Sequence, residues 1–439
     1  MDKYKQMKIE QIYRYFKECS SVSTDSRNCQ KNALFFALKG DNFDGNKFAI
    51  KALEMGCKYA IVDEPDLMKN KNIIHVEDTL KTLHELALYH RKTFKIPVIG
   101  ITGSNGKTTT KELTAATLAQ KYKVWFTKGN LNNHIGVPLT ILNMPEDTEI
   151  AVIEMGANHK GEIDFLCNIA LPDFGLITNV GKAHLEGFGS FEGVMKTKSE
   201  LYHFIEQNGK LVFLNIDNNF LKSMLKNGKY EGYSSNKTAF VSGRYSKAEP
   251  FLEFEWKEKN LNAWNKVKTK ITGIYNYENV LAAICIATYF NVPAQLINNA
   301  LSEYTPRNNR SQLINTQQNK ILLDAYNANP ESMKASLQNF MNIELPHKVL
   351  IIGEMRELGK DSYREHEILL EQIKKMKKDE CFLVGNEFKH FFQSLPQNCK
   401  WFESVEHLSE YLEKYPLIDK FILIKGSRNN KLEKSVERL

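Results

Sequence analysis

The 439-residue sequence predicts a three-domain α/β protein, in which a small α/β domain precedes a phosphate-loop domain and a doubly wound domain. Its length suits two to four domains, and 42% hydrophobic with 25% charged residues is a globular composition. Short apolar runs alternate with helical patterns along the chain, which is typical of α/β folds. One such run leads into a glycine-rich segment that opens a helical pattern, as a phosphate loop does.

The first domain is predicted over residues 1–93. Its apolar runs are short and bounded by polar residues, so each can form one strand between helices. The runs are Leu34–Leu38, Tyr59–Val62 and Ile73–Val76, and the helical patterns are Asn46–Met55 and Thr79–Lys92.

The central domain is predicted over residues 94–306. Its apolar runs are longer and continuous, which indicates strands that are buried on both faces of a parallel sheet covered by helices. These runs are Val98–Thr102, Ile150–Glu154, Leu176–Val180 and Leu211–Asn215, and Val280–Phe290 is expected to form a buried helix.

The third domain is predicted over residues 307–439 as a Rossmann-like, doubly wound sheet. Strands are expected at Ile321–Asp324, Val349–Gly353, Cys381–Val384 and Phe421–Lys425, with helices from Pro330, over Tyr363–Lys377 and near Val405–Glu413. Asn329 followed by Pro330 fits a helix N-cap with proline at the first helical position.

A phosphate loop is predicted at residues 100–109, GITGSNGKTT. Glycines let the backbone wrap a phosphate at a helix N-terminus, where free amides and the helix dipole favour negative charge. Lys107 would contact the β- and γ-phosphates, and the Thr108 hydroxyl would bind Mg²⁺. The alternative is a turn that only caps a helix. The expected nucleotide-binding residues are Gly103, Ser104, Asn105, Gly106, Lys107, Thr108 and Thr109.

Three further side chains are possible functional residues. Glu154 ends an apolar run, which places a carboxylate at the ligand-binding end of a strand and suggests a Mg²⁺ position. The alternative is a carboxylate that turns to solvent. His184 follows the next predicted strand, where a single histidine is more often structural. Lys198 by itself indicates only a solvated, charged helix face.

Together these segments resemble the Mur ligase family: TGSNGKTT at 102–109, EMGA at 154–157, NVGKAHLE at 179–186, and Lys198. The resemblance implies that Thr108 and Glu154 hold a first Mg²⁺. It also implies that a CO₂-derived carbamate on Lys198 holds a second Mg²⁺ with His184. Lys107, Glu154, His184 and Lys198 are then the expected catalytic residues. ATP is the implied nucleotide, contacted also by Asn279, Arg310, Asp324 and Tyr326.

Other segments resemble the dipeptide-adding branch of this family. DSR at 25–27 and the stretch around 34–45 are similar to the uridine-nucleotide-binding domain that this branch shares with the tripeptide-making ligases. GNLNNHIGVP at 129–138, DAYNANP at 324–330 and KGSR at 425–428 are similar to its central and carboxyl-terminal segments. The implied substrate-binding residues are Ser26, Arg27, Lys39, Asp44, Gly45, Asn130, Asn132, Asn133, His134, Asn327, Asn329, Lys425, Ser427 and Arg428.

The resemblance implies that D-alanyl-D-alanine is joined to UDP-N-acetylmuramoyl-tripeptide through an acyl phosphate. The alternatives are another amide ligase of the superfamily, such as a third-amino-acid-adding muramyl ligase or a folylpolyglutamate synthetase, or a phosphate-loop switch without chemistry. A nucleic-acid-stimulated ATPase is disfavoured, because the net charge of +7 is spread along the chain without basic tracts.

The sequence also predicts where the protein works. No apolar stretch near Met1 suits a signal peptide, and the longest apolar run is too short to span a membrane. Seven scattered cysteines without a CxxC spacing indicate reduced thiols rather than disulfides or a zinc site. We therefore expect a cytoplasmic protein that binds no nucleic acid, and the resemblance implies a monomer.

Overall fold

The computed structural model describes residues 7–182, 185–376 and 378–439. Within these ranges the strands form a four-stranded, a nine-stranded and a six-stranded sheet, together with one short hairpin. The predicted α/β class with three successive units is confirmed. No helix in the described ranges is long and apolar enough to cross a membrane.

The first sheet is parallel, with strand order β1-β2-β5-β6. Its strands match the three predicted runs to within two residues and add one short strand at the edge. Asp78 accepts a hydrogen bond from the Lys81 amide and so begins helix α3. The elements are α1 (Ile9–Lys17), β1 (Val22–Ser23), β2 (Leu34–Phe36), β3 (Lys39–Gly40), β4 (Phe43–Asp44), α2 (Ala49–Glu54), β5 (Tyr59–Val62), β6 (Ile73–His75) and α3 (Thr79–Arg91).

The central sheet has the order β15-β14-β13-β12-β11-β10-β7-β9-β8. The chain moves outward from β7 in one direction and then in the other, so β7 lies at the point where open α/β sheets bind ligands. Its elements up to residue 224 are β7 (Val98–Thr102), α4 (Lys107–Leu118), β8 (Val124–Phe126), α5 (Gly136–Leu142), β9 (Ile150–Glu154), α6 (Glu162–Ala170), β10 (Phe174–Ile177), α7 (Leu185–Phe188), α8 (Phe191–Asn208), β11 (Leu211–Asn215) and α9 (Asn219–Met224).

The second half of this domain differs from the purely parallel sheet that the sequence predicts. After β12 (Tyr230–Ser234), the strands β13 (Val241–Ala248), β14 (Phe251–Glu258) and β15 (Asn265–Thr272) run antiparallel to one another. The chain then returns as α10 (Tyr277–Tyr289) and α11 (Ala294–Glu303). Helix α10 is the buried helix expected from its apolar run, and it packs against α4.

The third sheet has the order β16-β17-β21-β18-β19-β20, with only β16 antiparallel. Asn329 and Ser332 form a reciprocal capping box at the start of α12, as Asn329-Pro330 predicted. The elements are β16 (Gln312–Asn315), β17 (Lys320–Asp324), α12 (Pro330–Asn342), β18 (Lys348–Gly353), α13 (Ser362–Lys374), β19 (Glu380–Val384), β20 (Cys399–Phe402), α14 (Val405–Lys414) and β21 (Phe421–Lys425).

Candidate nucleotide and ligase site

The loop between β7 and α4 has the backbone of a phosphate loop. Gly103 has φ +146° and Gly106 has φ +80°, a region that favours glycine. A Cβ on Gly103 would lie 2.0 Å from Thr178 Oγ1, and one on Gly106 would lie 2.5 Å from Asn279 Oδ1. Both glycines are therefore required by close approach as well as by conformation.

The Lys107 side chain folds back over this loop. Its Nζ donates hydrogen bonds to the carbonyls of Gly103 at 2.7 Å and Ser104 at 3.1 Å. Burial lowers the pKa of Lys107 to about 8; nearby Arg310 also lowers it, whereas Glu154 opposes the shift. An anionic phosphate in the loop would stabilise the charged ammonium, because it supplies the counter-charge that burial withholds.

Asn105 is held by the segment that follows β10. Its amide donates to Asn179 Oδ1 at 2.9 Å, and its carbonyl accepts from Thr178 Oγ1 at 2.6 Å and Asn179 Nδ2 at 3.0 Å. These contacts explain why β10 ends at Ile177, earlier than the predicted Val180: the chain leaves the sheet to support the loop.

Glu154 is almost fully buried at the carboxyl end of β9. Its Oε1 accepts hydrogen bonds from Thr108 Oγ1 at 3.2 Å and Asn132 Nδ2 at 2.7 Å. Its Oε2 lies 3.4 Å from the buried ammonium of Lys111 and has no hydrogen-bond partner in the described structure. Lys111, which the sequence analysis did not single out, supplies the charge that makes this buried carboxylate tolerable.

Lys198 lies on α8 and is 2% exposed. Burial holds its pKa well below the ordinary value, and Lys107 adds to the lowering, while Glu200 and Glu162 oppose it. The solvated, charged face that the isolated pattern suggested is therefore wrong for Lys198. The predicted His184 lies outside the described residues. In the described ranges, no cluster of three or more His, Cys, Asp or Glu side chains could hold a metal ion.

A cavity of about 1060 Å³ separates the phosphate loop from the third domain. Its wall includes the loop, Glu154, the segment before α5 and the carboxyl ends of β17 and β21. Predicted residues in the wall are Ser104, Asn105, Gly106, Lys107, Thr108, Thr109, Asn130, Asn132, Asn133, His134, Glu154, Asn279, Arg310, Asp324, Tyr326, Asn327, Asn329, Lys425 and Arg428. The structure thus brings together residues that are more than 300 positions apart in the sequence.

Basic and acidic side chains both occur on the third-domain wall. Lys425 Nζ donates to Asp324 Oδ2 at 2.6 Å, which leaves Asp324 committed to this ion pair. The guanidinium carbons of Arg310 and Arg428 lie 3.8 Å and 5.0 Å from the centre of the Tyr326 ring. Tyr326 therefore holds two cations beside the cavity through cation–π contacts.

Helix α12 docks on the central domain through its first turn. Asn329 Nδ2 donates to Asn105 Oδ1 at 2.7 Å, so the third domain contacts the phosphate loop directly. Glu331 Oε1 accepts from the Lys182 amide at 3.0 Å. A Cβ on Gly181 would lie only 1.7 Å from Glu331 Oε2, so this contact requires the glycine.

Several predicted substrate residues also make contacts that hold the local structure. Ser427 Oγ accepts from the Arg356 amide at 3.1 Å. Asn133 lines the cavity but also caps α5 through the amides of Ile135 and Gly136. The His134 carbonyl contacts His84 Nε2 of the first domain at 2.7 Å.

The predicted uridine-site residues all belong to the first domain. The Arg27 guanidinium makes a two-point contact with Asp25, at 2.9 and 2.8 Å, and Lys39 Nζ lies 2.8 Å from Asp63. Asp44 caps the turn that begins at Gly45, and Ser26 is buried. Asp63 was missed by the sequence analysis, because a carboxylate after a short strand carries no motif.

A phosphate loop lies at the switch point of a parallel sheet and faces a second, doubly wound sheet across a cavity. This fold and this site are typical of a nucleotide-dependent enzyme. Three family models match the chain: the Mur ligase family catalytic domain at residues 18–91, the Mur ligase middle domain at 101–287, and the Mur ligase glutamate ligase domain at 309–428. The chain belongs to the Mur ligase family and is an ATP-dependent ligase.

Similar proteins share one name. The UDP-N-acetylmuramoyl-tripeptide--D-alanyl-D-alanine ligase of Bacillus subtilis is 36% identical, over 95% of this chain and 92% of that protein. The Escherichia coli ligase of the same name is 34% identical, over 95% and 93%. Crystal structures of MurF from Acinetobacter baumannii (TM-score 0.85, 28% identical, 99% and 98% covered) and of MurF from Thermotoga maritima in complex with ADP (0.83, 27%, 96% and 97%) have the same fold.

Proposed function

We propose that this enzyme joins D-alanyl-D-alanine to UDP-N-acetylmuramoyl-tripeptide, with conversion of ATP to ADP and phosphate, as a cytoplasmic monomer in peptidoglycan precursor synthesis. The observation that carries the proposal is the cavity, in which the phosphate loop and Glu154 face Arg310, Lys425 and Arg428 of the third domain. Relatives that match nearly the whole chain bear the name of this reaction. The domain limits of 1–93, 94–306 and 307–439 form part of the proposal.

The chemistry requires activation, because a carboxylate has no leaving group that an amine can displace. Transfer of the γ-phosphoryl group of ATP to the terminal carboxylate of the tripeptide would give an acyl phosphate. The amine of the dipeptide then attacks its carbonyl carbon, and phosphate leaves. Lys107 lies where its ammonium would offset phosphate charge during both steps.

Mg²⁺ fits the arrangement around Glu154. The Thr108 hydroxyl and the Glu154 carboxylate supply oxygen atoms, which this ion prefers, and Glu154 Oε2 has no hydrogen-bond partner in the described structure. Bound there, Mg²⁺ would neutralise charge on the phosphoryl oxygens. Lys111 and Asn132 hold the carboxylate in place in either case.

A carbamate on Lys198 would help hold a second Mg²⁺, with His184 as its partner. Only a neutral amine adds CO₂, and deep burial favours the neutral form of Lys198. The product would be an anion, which the nearby Lys107 ammonium would attract.

The substrates are proposed to meet from three directions. The uridine nucleotide would occupy the first domain at Ser26, Arg27, Lys39, Asp44 and Gly45. Adenine would lie beside Asn279, with Arg310, Asp324 and Tyr326 on the third-domain side of the nucleotide. The dipeptide would bind between the segment Asn130–His134 and the residues Asn327, Asn329, Lys425, Ser427 and Arg428.

Phosphate release with paired substrates tests the proposal. Release should require ATP, the UDP-linked tripeptide and D-alanyl-D-alanine together, with the pentapeptide product seen by mass spectrometry. Equal activity with a single amino acid in place of the dipeptide would assign the enzyme to another amide ligase of the superfamily. Nucleotide binding without any amide product would leave only a switch.

A further inference from the structure

A thiol pair lies in the third domain, away from the ligase cavity. Cys381 is in β19 and Cys399 begins β20, and the two are direct register partners on neighbouring parallel strands. Both belong to the same hydrophobic cluster, so their side chains lie on the same face of the sheet. The Cys399 thiol also donates a hydrogen bond to Asn398 Oδ1 at 3.8 Å.

Their backbone spacing suits a covalent bond. Neighbouring strands lie about 4.8 Å apart, and disulfides join residues whose Cα atoms are roughly 4.4–6.8 Å apart. No shift of register is needed to bring the two sulfur atoms together.

The two thiols have different environments. Cys381 is fully buried, whereas Cys399 lies on the edge strand and is 8% exposed, enough for a small oxidant to reach. The neighbouring Cys381 thiol lowers the pKa of Cys399, and the ammonium groups of Lys378, Lys374 and Lys400 lower it as well, against the effect of burial. Glu380 offsets Lys400 only weakly, at 3.7 Å. The edge position, the greater exposure and the nearby ammonium groups all favour Cys399 over Cys381 as the sulfur that reacts first.

We propose that Cys399 and Cys381 form an oxidation site for hydroperoxides, with Cys399 as the attacking sulfur and Cys381 as the resolving one. The Cys399 thiolate attacks one peroxide oxygen, the O–O bond breaks, and Cys399 becomes a sulfenic acid while hydroxide leaves. Cys381 then attacks the Cys399 sulfur, its proton leaves with the hydroxyl group as water, and the disulfide forms. The peroxide gains the two electrons that the two sulfurs lose.

This disulfide would leave the ligase site intact. Cys381 and Cys399 lie near the amino ends of β19 and β20, whereas the cavity is bounded by the carboxyl ends of β17 and β21. The site therefore reduces a peroxide at a distance from the phosphate loop. Formation of the disulfide then protects Cys399 from irreversible oxidation. The inference does not depend on the substrates proposed above.

A second thiol contact provides an internal control. Cys57 lies near Cys29 in the first domain, but burial raises its pKa and no lysine is among the causes of its shift. At neutral pH, hydrogen peroxide should therefore oxidise Cys399 roughly tenfold faster than Cys57.

The test treats the full-length protein with hydrogen peroxide, blocks the remaining thiols with N-ethylmaleimide and maps the peptides by mass spectrometry. We expect a disulfide between Cys381 and Cys399, with C29S reacting at the wild-type rate and C399S losing the fast phase. C381S should accumulate a Cys399 sulfenic acid that dimedone traps. An unchanged fast phase in C399S, or earlier oxidation of Cys57, would overturn the proposal.

A measurement on the unmodified chain guards against variants that fail to fold. Limiting iodoacetamide should label Cys399 before the other six cysteines in the wild-type protein. Preferential labelling of any other cysteine contradicts the assignment without recourse to a substitution.

Discussion

At the scale of single residues, Gly106 combines two constraints that can be separated. Its φ of +80° disfavours a side chain, and a Cβ would also meet Asn279 Oδ1 at 2.5 Å. Gly161 has φ +84°, yet nothing lies within 4 Å of its Cβ position. At Gly161, therefore, only the backbone conformation disfavours a side chain.

We expect Gly106→Ala to weaken ATP binding by at least about tenfold, because a displaced Asn279 or a shifted loop no longer offers its amides to phosphate. Gly161→Ala should cost roughly 1 kcal/mol of stability without changing nucleotide affinity. Titration with a fluorescent ATP analogue measures the first effect and thermal unfolding the second. Equal nucleotide affinity in the two variants would contradict the role assigned to the close contact.

His90 makes the stability of the folded protein depend on pH. It is buried among Phe16, Phe94 and Tyr13, and burial, with a smaller effect of Lys17, lowers its pKa to about 4. An unfolded chain has a histidine pKa of about 6.5. The unfolded state thus binds more protons between these values, so stability falls as pH drops below about 6.5 and levels off below about 4.

The expected loss from His90 is roughly 3 kcal/mol between pH 7 and pH 4. His90→Asn should flatten this part of the stability profile, while the same change at the exposed His407 should leave it unaltered. Urea unfolding at a series of pH values gives the comparison. If His90→Asn retains the full acid dependence, the effect belongs to other groups.

At the scale of elements, the first turn of α12 joins the third domain to the phosphate loop. Asn329 contacts Asn105, and Glu331 receives the Lys182 amide. Because these bonds exist only when the domains are close together, they favour the closed arrangement that excludes water from the reaction.

Glu331→Ala should lower kcat by roughly tenfold, because a charge-assisted hydrogen bond is worth about 1.5–3 kcal/mol. The affinity of the nucleotide site in the central domain for ADP should change little. Glu331→Gln retains an acceptor and should recover part of the rate. Glu344→Gln, an exposed change just beyond the same helix, is the control. Steady-state kinetics measures kcat, and small-angle scattering with nucleotide measures domain closure. A fall in ADP affinity equal to the fall in kcat would contradict a role of Glu331 in closure.

The sequence predicted continuous elements better than interrupted ones. Strands Val98–Thr102, Ile150–Glu154 and Leu211–Asn215 were predicted to the residue, because an apolar run buried on both faces has sharp ends. The antiparallel strands β13 to β15 were missed. In β14 and β15 the buried residues alternate with half-buried or exposed ones, and this period-two pattern was the available signal.

The candidate site was predictable in part for a related reason. Gly106, Lys107 and Glu154 occupy positions at strand and helix ends that the sequence marks. Lys111 and Asn132 complete the surroundings of Glu154 through tertiary packing, and no local pattern shows which distant side chain will approach a buried carboxylate. Glu331 belongs to the same group, since its partner lies in another domain.

At the scale of the whole molecule, Arg91 fastens the first domain to the central one. Its guanidinium donates to the carbonyls of Ala170 at 2.8 Å and Leu171 at 3.1 Å, and it lies 3.6 Å from Asp173. This side chain is 6% exposed, so its charge depends on these partners.

Arg91→Ala should remove about 3 kcal/mol from the interface, since it leaves the two carbonyls without this buried donor and removes the cation beside Asp173. The first domain should then unfold separately, giving a second, lower transition in scanning calorimetry. Arg14→Ala, an exposed change in the same domain, should keep the wild-type trace. A single, uniformly lowered transition in Arg91→Ala would show that the two domains remain one cooperative unit.

Because α10 packs beside α4, the nucleotide site depends on a helix that is synthesised much later than the phosphate loop. Asn279, which supports the phosphate loop through Thr110 at 3.1 Å, is 169 residues further along the chain. During synthesis the loop emerges from the ribosome long before this support, while the antiparallel strands must first form and reverse direction. The nucleotide site is thus among the last parts of the central domain to mature, and a nascent chain gains affinity for ATP only after residue 289 has left the exit tunnel.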